Sequence, residues 1–181
     1  MKKLLLFVSI IIIPILLLTG CGKEKEEKVE LKSIELFDKD YGFKTTFKYD
    51  PSLTISDVDI DDENKSREIS FDIKELDVDI EMYYTDSGKK LADSVKEDRS
   101  NKKYYKEYKL NGHNAYVYSD YDDQLYLIIE LKEDKNGTLY QLFVSLERDD
   151  NDEDVIVYNV FTQEALQDFF NSIEFKDNVK E

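Results

Sequence analysis

Tryptophan is absent from the 181 residues, and histidine and cysteine occur once each. A lone cysteine rules out an internal disulfide, a paired-thiolate metal site and a Cys-x-x-Cys redox centre. A lone histidine narrows nucleophilic catalysis to one place, because Ser-His-Asp and Cys-His sites need an imidazole beside the nucleophile. That histidine, His113, follows directly on the turn pair Asn111-Gly112, where a solvated side chain is the ordinary outcome. No G-x-S-x-G elbow, phosphate-cradling glycine loop or H-E-x-x-H pair is present. Bases are scarce as well. The chain has 25 Lys and Arg against 41 Asp and Glu, which excludes the phosphate neutralisation that nucleic-acid binding requires. The many acids will always offer some pair at a glycosidase-like separation, so that pattern carries no weight. Together these absences point to a noncatalytic protein, with a hydrolase as the last of the alternatives.

Long apolar runs are also rare, and the one present is at the start. Lys2 and Lys3 precede Leu4–Leu18, a stretch of about fifteen residues broken by Pro14. It is shorter than the ~20 residues of a membrane-spanning helix and has the basic and apolar regions of a secretory signal. It closes on Leu18, Thr19, Gly20 and Cys21, which resemble a bacterial lipobox. The resemblance implies cleavage before Cys21, a diacylglycerol on its sulfur, and a domain held by lipid at the extracytoplasmic face of the cell membrane. Two or three acyl chains anchor a protein stably where one does not. Residues 1–20 hold no acid and only those two lysines, so the remainder carries 41 acids against 23 bases, a net charge of −18. Such a body should stand clear of anionic lipid and suit a basic partner or a divalent cation.

The expected organisation is a signal peptide over 1–20, a lipidated cysteine and charged linker over 21–40, one domain over 41–177 and a tail over 178–181. Gly22–Glu30 is almost wholly charged, offers no face to bury and reads as a tether. Leu31, Ile34, Leu36 and Phe37 could instead pair with the edge of the domain. From Tyr41 on, the pattern is mostly period two, predicting antiparallel strands with one wet face. Phe43, Thr45 and Phe47 lead to a stop at Asp50-Pro51. Leu53–Ile60 shifts its apolar parity between Ile55 and Val58, which predicts a bulge. Ile69–Ile73 and Val78–Met82 alternate cleanly. Asp86 or Ser87 should cap a helix through Leu91, Ala92 and Val95 whose narrow apolar stripe suits lying on a sheet. Tyr104–Leu110 and Ala115–Tyr121 flank Asn111-Gly112 as a hairpin. Leu125–Leu131 reads as a central strand, and Asn136-Gly137 turns into Leu139–Leu146. Val155–Val160 is ambiguous; Thr162 should cap a helix bearing Leu166, Phe169 and Phe170, before a last strand at Ile173 and Phe175.

Gly42-Phe43 opening a strand that ends Tyr49-Asp50-Pro51, then Leu110-Asn111-Gly112 with Ala115 and Tyr116, and the closing run Phe169–Phe175 resemble the PsbP/Mog1-like family. The resemblance spans about residues 41–177. It implies an α+β fold, an antiparallel sheet flanked by helices, and a noncatalytic accessory or protein-binding role, with no catalytic residues to carry over.

Two surfaces remain as candidates. Asp57, Asp59, Asp61, Glu63 and Glu68 fall at positions 1, 3, 5, 7 and 12 of an EF-hand count. Asp62 stands where that loop needs glycine, so a solvated strand face is the simpler reading. The acidic loop Asp149–Asp154 is a second calcium candidate of the same kind. Tyr104, Tyr105, Tyr116, Tyr118 and Tyr121, from a total of 13 tyrosines, offer a contact surface of large area and low entropic cost. An envelope protein suits them better than a cell-wall glycan, since sugar platforms so often use tryptophan. Millimolar calcium should therefore leave the thermal midpoint within about a degree. A rise of several degrees that Asp59→Ala abolishes would instead make the first acidic stretch a calcium site.

Overall fold

The computed structural model describes residues 30–61, 68–148 and 156–179. Antiparallel strands dominate, in two sheets. The smaller has three strands in the order β1 (Lys32–Asp38), β2 (Phe43–Tyr49), β10 (Glu174–Lys176). The larger has seven: β3 (Ile55–Asp61), β4 (Glu68–Ile73), β5 (Val78–Gly88), β9 (Thr138–Glu147), β8 (Gln124–Glu133), β7 (His113–Tyr118) and β6 (Lys106–Leu110), in that spatial order. Three helices complete the described residues: α1 (Lys89–Arg99), α2 (Val157–Phe161) and α3 (Glu164–Asn171). The architecture is broadly α+β, with two sheets where one was expected.

Alternation explains why these segments extend. In β4 the burial runs half, full, half, full, and in β5 Val78, Ile80, Met82 and Tyr84 turn inward while their neighbours face water. Turn chemistry fixes the register. Asn111 and Gly112 both adopt positive φ, 43° and 90°, as a two-residue turn twisted to match its strands requires. Gly137 sits at φ 77° beside Asp134, whose Oδ1 accepts the N–H groups of Asn136 at 2.8 Å and Thr138 at 2.9 Å. The bulge predicted in β3 is there: pairing with β4 slips between Ser56 and Asp59, and Asp57 takes the left-handed conformation at φ 51°.

The main core lies between the two sheets, closed by α2 and α3. Phe47 of β2 stacks on Phe169 of α3 at 5.0 Å, Phe71 of β4 meets the same ring at 6.0 Å, and Phe170 lies edge-on to Phe169 at 5.2 Å. Tyr84 ties the layers across the other end. Its hydroxyl donates to the Leu36 carbonyl at 3.1 Å and meets the Thr45 hydroxyl at 2.8 Å. The opposite face of the large sheet carries a second, smaller cluster of Tyr116, Tyr118 and Ile128.

Several expected boundaries shift. Ordered pairing begins at Lys32, not near Tyr41, because β1 pairs with β2 along its whole length and buries Leu36. The Asp38 carboxylate holds the connecting turn by accepting the N–H groups of Asp40 and Tyr41. At the other end, Val179 N–H donates to Gly42 O at 3.0 Å, so pairing persists past 177. Asp86 and Ser87 do not cap α1. They continue β5, opposite Tyr140 and Leu139 of β9, and Gly88 takes the N-cap position; ladder hydrogen bonds outweigh one cap. Thr162 ends α2, its hydroxyl donating to Asn159 O, and Gln163 precedes α3. The ambiguous stretch before it contains the short helix α2.

Phe169→Ala, which opens a hole where three elements meet, should cost about 3–5 kcal/mol. Leu91→Ala, on the exposed side of α1, should stay within about 0.5 kcal/mol. Urea unfolding followed by far-ultraviolet circular dichroism measures both.

Candidate functional site

The strand registers lay out the second face of the large sheet in rows. One runs from Glu68 on β4 through Tyr83 on β5, Phe143 on β9, Ile128 on β8 and Tyr116 on β7 to Glu107 on β6. The next runs Asp59, Ser70, Glu81, Ser145, Tyr126, Tyr118, and a third Asp72, Asp79, Glu147, Gln124. Rings on adjacent strands therefore touch. From Tyr105 the chain of contacts passes to Tyr116 at 6.1 Å, Tyr118 at 6.1 Å, Tyr126 at 5.1 Å, Phe143 at 5.5 Å and Tyr83 at 4.8 Å. These separations lie in the range of favourable ring pairs.

α1 crosses one end of this row. Ala92 is its buried contact, while Leu91 remains 61% exposed, so the helix lies on the face through its basic side chains. Arg99 places its guanidinium 4.2 Å from the Tyr118 centroid, and Lys96 Nζ stands 5.5 Å from that of Tyr116 while pairing with Glu107 at 3.0 Å. Tyr116 and Tyr118 are buried beneath it, whereas Tyr83, Tyr126 and Phe143 are only half-buried.

Burial pushes the Tyr116 phenol up to about 12, and burial together with the Glu107 carboxylate does the same for Tyr105. Burial also raises Tyr83, Tyr118 and Tyr126. The row is thus uncharged at any physiological pH, and its ring faces keep their attraction for cations. Beside it Glu81 is raised, first by burial and then by the charges of Glu68 and Glu147. A cleft of about 230 Å³ opens here, lined by Ser70, Asp72, Asp79, Glu81, Ser145 and Glu147.

Of the tyrosines proposed as a partner surface, Tyr105, Tyr116 and Tyr118 join the row. Tyr121 is 64% exposed in the β7–β8 loop and shares a cleft with Tyr118, Tyr126 and Arg99. Tyr104 goes elsewhere. Its φ of 59° turns it toward α2, where it stacks on Tyr158 at 5.2 Å and bonds Asp122. Tyr83 and Phe143 were not anticipated, because β5 and β9 meet only in the folded sheet. Tyr126 was visible as one more tyrosine, without a sign of its neighbours.

The acidic candidates are only partly in view. Glu63, and the loop Asp149–Asp154, lie outside the described residues, as do Leu18, Thr19, Gly20 and Cys21. Asp57 sits in the bulge, Asp59 accepts the N–H of Ile60 at 2.9 Å, and Asp61 pairs through its backbone with Glu68. Among the described residues no three acids, histidines or cysteines converge as metal ligands. His113 Nδ1 lies 3.1 Å from the Glu130 carbonyl, with the ring edge-on to Phe175. Comparison with known proteins finds no matching family model, curated protein or solved structure.

A carboxyl raised in the folded state destabilises the fold when ionised, so the penalty appears as pH climbs above the ordinary carboxylate value and is missing below it. Glu81→Gln should accordingly raise the melting temperature at pH 7. The gain should shrink to nothing as the pH falls below about 4.5, the ordinary value for a glutamate; thermal melts across pH 3.5–8 check it.

Proposed function

We propose that this chain is a lipoprotein held by Cys21 at the extracytoplasmic face of a bacterial cell membrane, with a PsbP/Mog1-like domain that acts as a noncatalytic binding or assembly module. The observation that carries the binding role is the row of rings from Tyr105 to Tyr83, covered by α1 at one end and half-buried at the other. Aromatic side chains in that state supply large contact area with little entropy to lose. The anchor rests on Lys2, Lys3, the apolar run and Leu18-Thr19-Gly20-Cys21. Among the described residues no helix is long and apolar enough to cross a membrane. A calcium- or wall-glycan-binding surface is the second reading, its glycan form favoured by the half-buried rings of Tyr126 and Phe143, and a hydrolase is the third.

Crosslinking in the native membrane, followed by purification of the lipidated protein, tests the proposal against a Cys21→Ala chain. One envelope protein in stoichiometric amount, lost with the anchor, is the expected result. Recovery of wall glycan alone, or of nothing, would overturn it.

A further inference from the structure

The outer face of the large sheet indicates the chemistry of what covers it. At the β7 end the cover is the chain's own: Arg99 over Tyr118 and Lys96 over Tyr116, with Lys96 also held by Glu107. These contacts combine a cation, a ring face and a carboxylate. Toward β5 the ring faces and carboxylates recur without the cation; Arg99 reaches only as far as the cleft it shares with Tyr126. There Tyr126, Phe143 and Tyr83 continue the row, and Glu81, Glu68 and Glu147 stand beside it on neighbouring positions of β5, β4 and β9. The charges around Glu81 that perturb it are all negative.

We propose that the β4–β5–β9 half of this face binds a basic polypeptide segment of an envelope partner, whose lysine or arginine side chains lie over Tyr126, Phe143 and Tyr83 and pair with Glu81 and Glu147. The inference rests on the reading of the domain as a binding module and names its partner class. Charge complementarity selects a polypeptide over the other occupants. A neutral glycan would cover the rings and leave the carboxylates facing one another, while calcium would satisfy carboxylates and leave the rings bare. A basic segment meets both at once. The cleft next to Glu81, about 230 Å³, admits one ammonium or guanidinium head. The net charge of −18 left after cleavage before Cys21 draws such a segment in from a distance, with an on-rate that falls as salt rises.

The test uses the full lipidated protein in detergent micelles and fluorescein-labelled decaarginine, read by anisotropy. Binding that weakens with salt is expected, with no binding of labelled decaglutamate. Glu81→Gln and Tyr126→Leu should each raise Kd about five- to tenfold, and Tyr126→Phe should keep it within about twofold because the ring face remains. Glu164→Gln removes the same charge from α3, on the far side of the molecule, and should leave Kd within about twofold. Glu81→Gln preserves side-chain size, so its reading does not depend on Tyr126→Leu folding. Absence of decaarginine binding, or equal weakening by Glu81→Gln and Glu164→Gln, would overturn the proposal. So would binding of soluble wall glycan, lost with Tyr126→Leu, in place of the peptide. If the peptide fails while membrane crosslinking still recovers one envelope protein, the binding-module reading stands and the basic segment alone falls; if both fail, both fall.

Discussion

Phe47 of the small sheet lies flat against Phe169 of α3, with Phe71 of the large sheet on the same ring and Phe170 edge-on to both phenylalanines of that stack. Each ring removes roughly 150–250 Å² from water, and this one layer joins three elements that are far apart in sequence, β2, β4 and α3. A three-stranded sheet whose third member is the three-residue β10 would be marginal by itself. It persists because α3 and the large sheet hold its inner face. With the core concentrated there, the other face of the large sheet needs only shallow cover, and α1 supplies it over Tyr116 and Tyr118.

The face left half-covered is expensive in stability terms. Glu81 is held between Glu68 and Glu147 without an opposing charge among the influences on it, and Tyr83, Tyr126 and Phe143 keep part of their apolar area in water. A sequence selected for stability alone would place lysine or threonine at such positions. Residues that cost stability on a rigid sheet, rather than on a loop, are where function is found to conflict with folding.

Much of this was legible from local pattern. Period two located β2, β4 and β5, since a strand with one dry face must alternate; a near-continuous apolar run located β8, and the Asn136-Gly137 turn led into β9. The parity slip near Ile55 and Val58 announced the bulge, and Asn111-Gly112 announced its hairpin, because both depend on a few adjacent residues. Nonlocal pairing was not legible. Asp86 and Ser87 have the chemistry of helix caps, and only the presence of β9 alongside makes them strand. Likewise Tyr83 and Phe143 become neighbours through the β5–β9 register, while the positive φ of Tyr104 removes it from a cluster that composition alone had placed it in. At the amino end the apolar spacing of Ile34, Leu36 and Phe37 allowed pairing with the domain's edge, but the choice between strand and tether was settled only by β2 turning back on β1.

The β5–β9 ladder, running from Asp79 opposite Glu147 to Gly88 opposite Thr138, also sets an order of assembly. β3, β4 and β5 form a meander of adjacent neighbours, and so do β6, β7, β8 and β9; each can close over short loops. The two are joined only by this ladder, which must bring together segments separated by α1 and three whole strands. Loop closure on that scale is slow compared with hairpin formation. A chain emerging amino end first would thus expose the inner edge of β5 until β9 arrives, which makes that strand the point where a folding helper would have the most to protect.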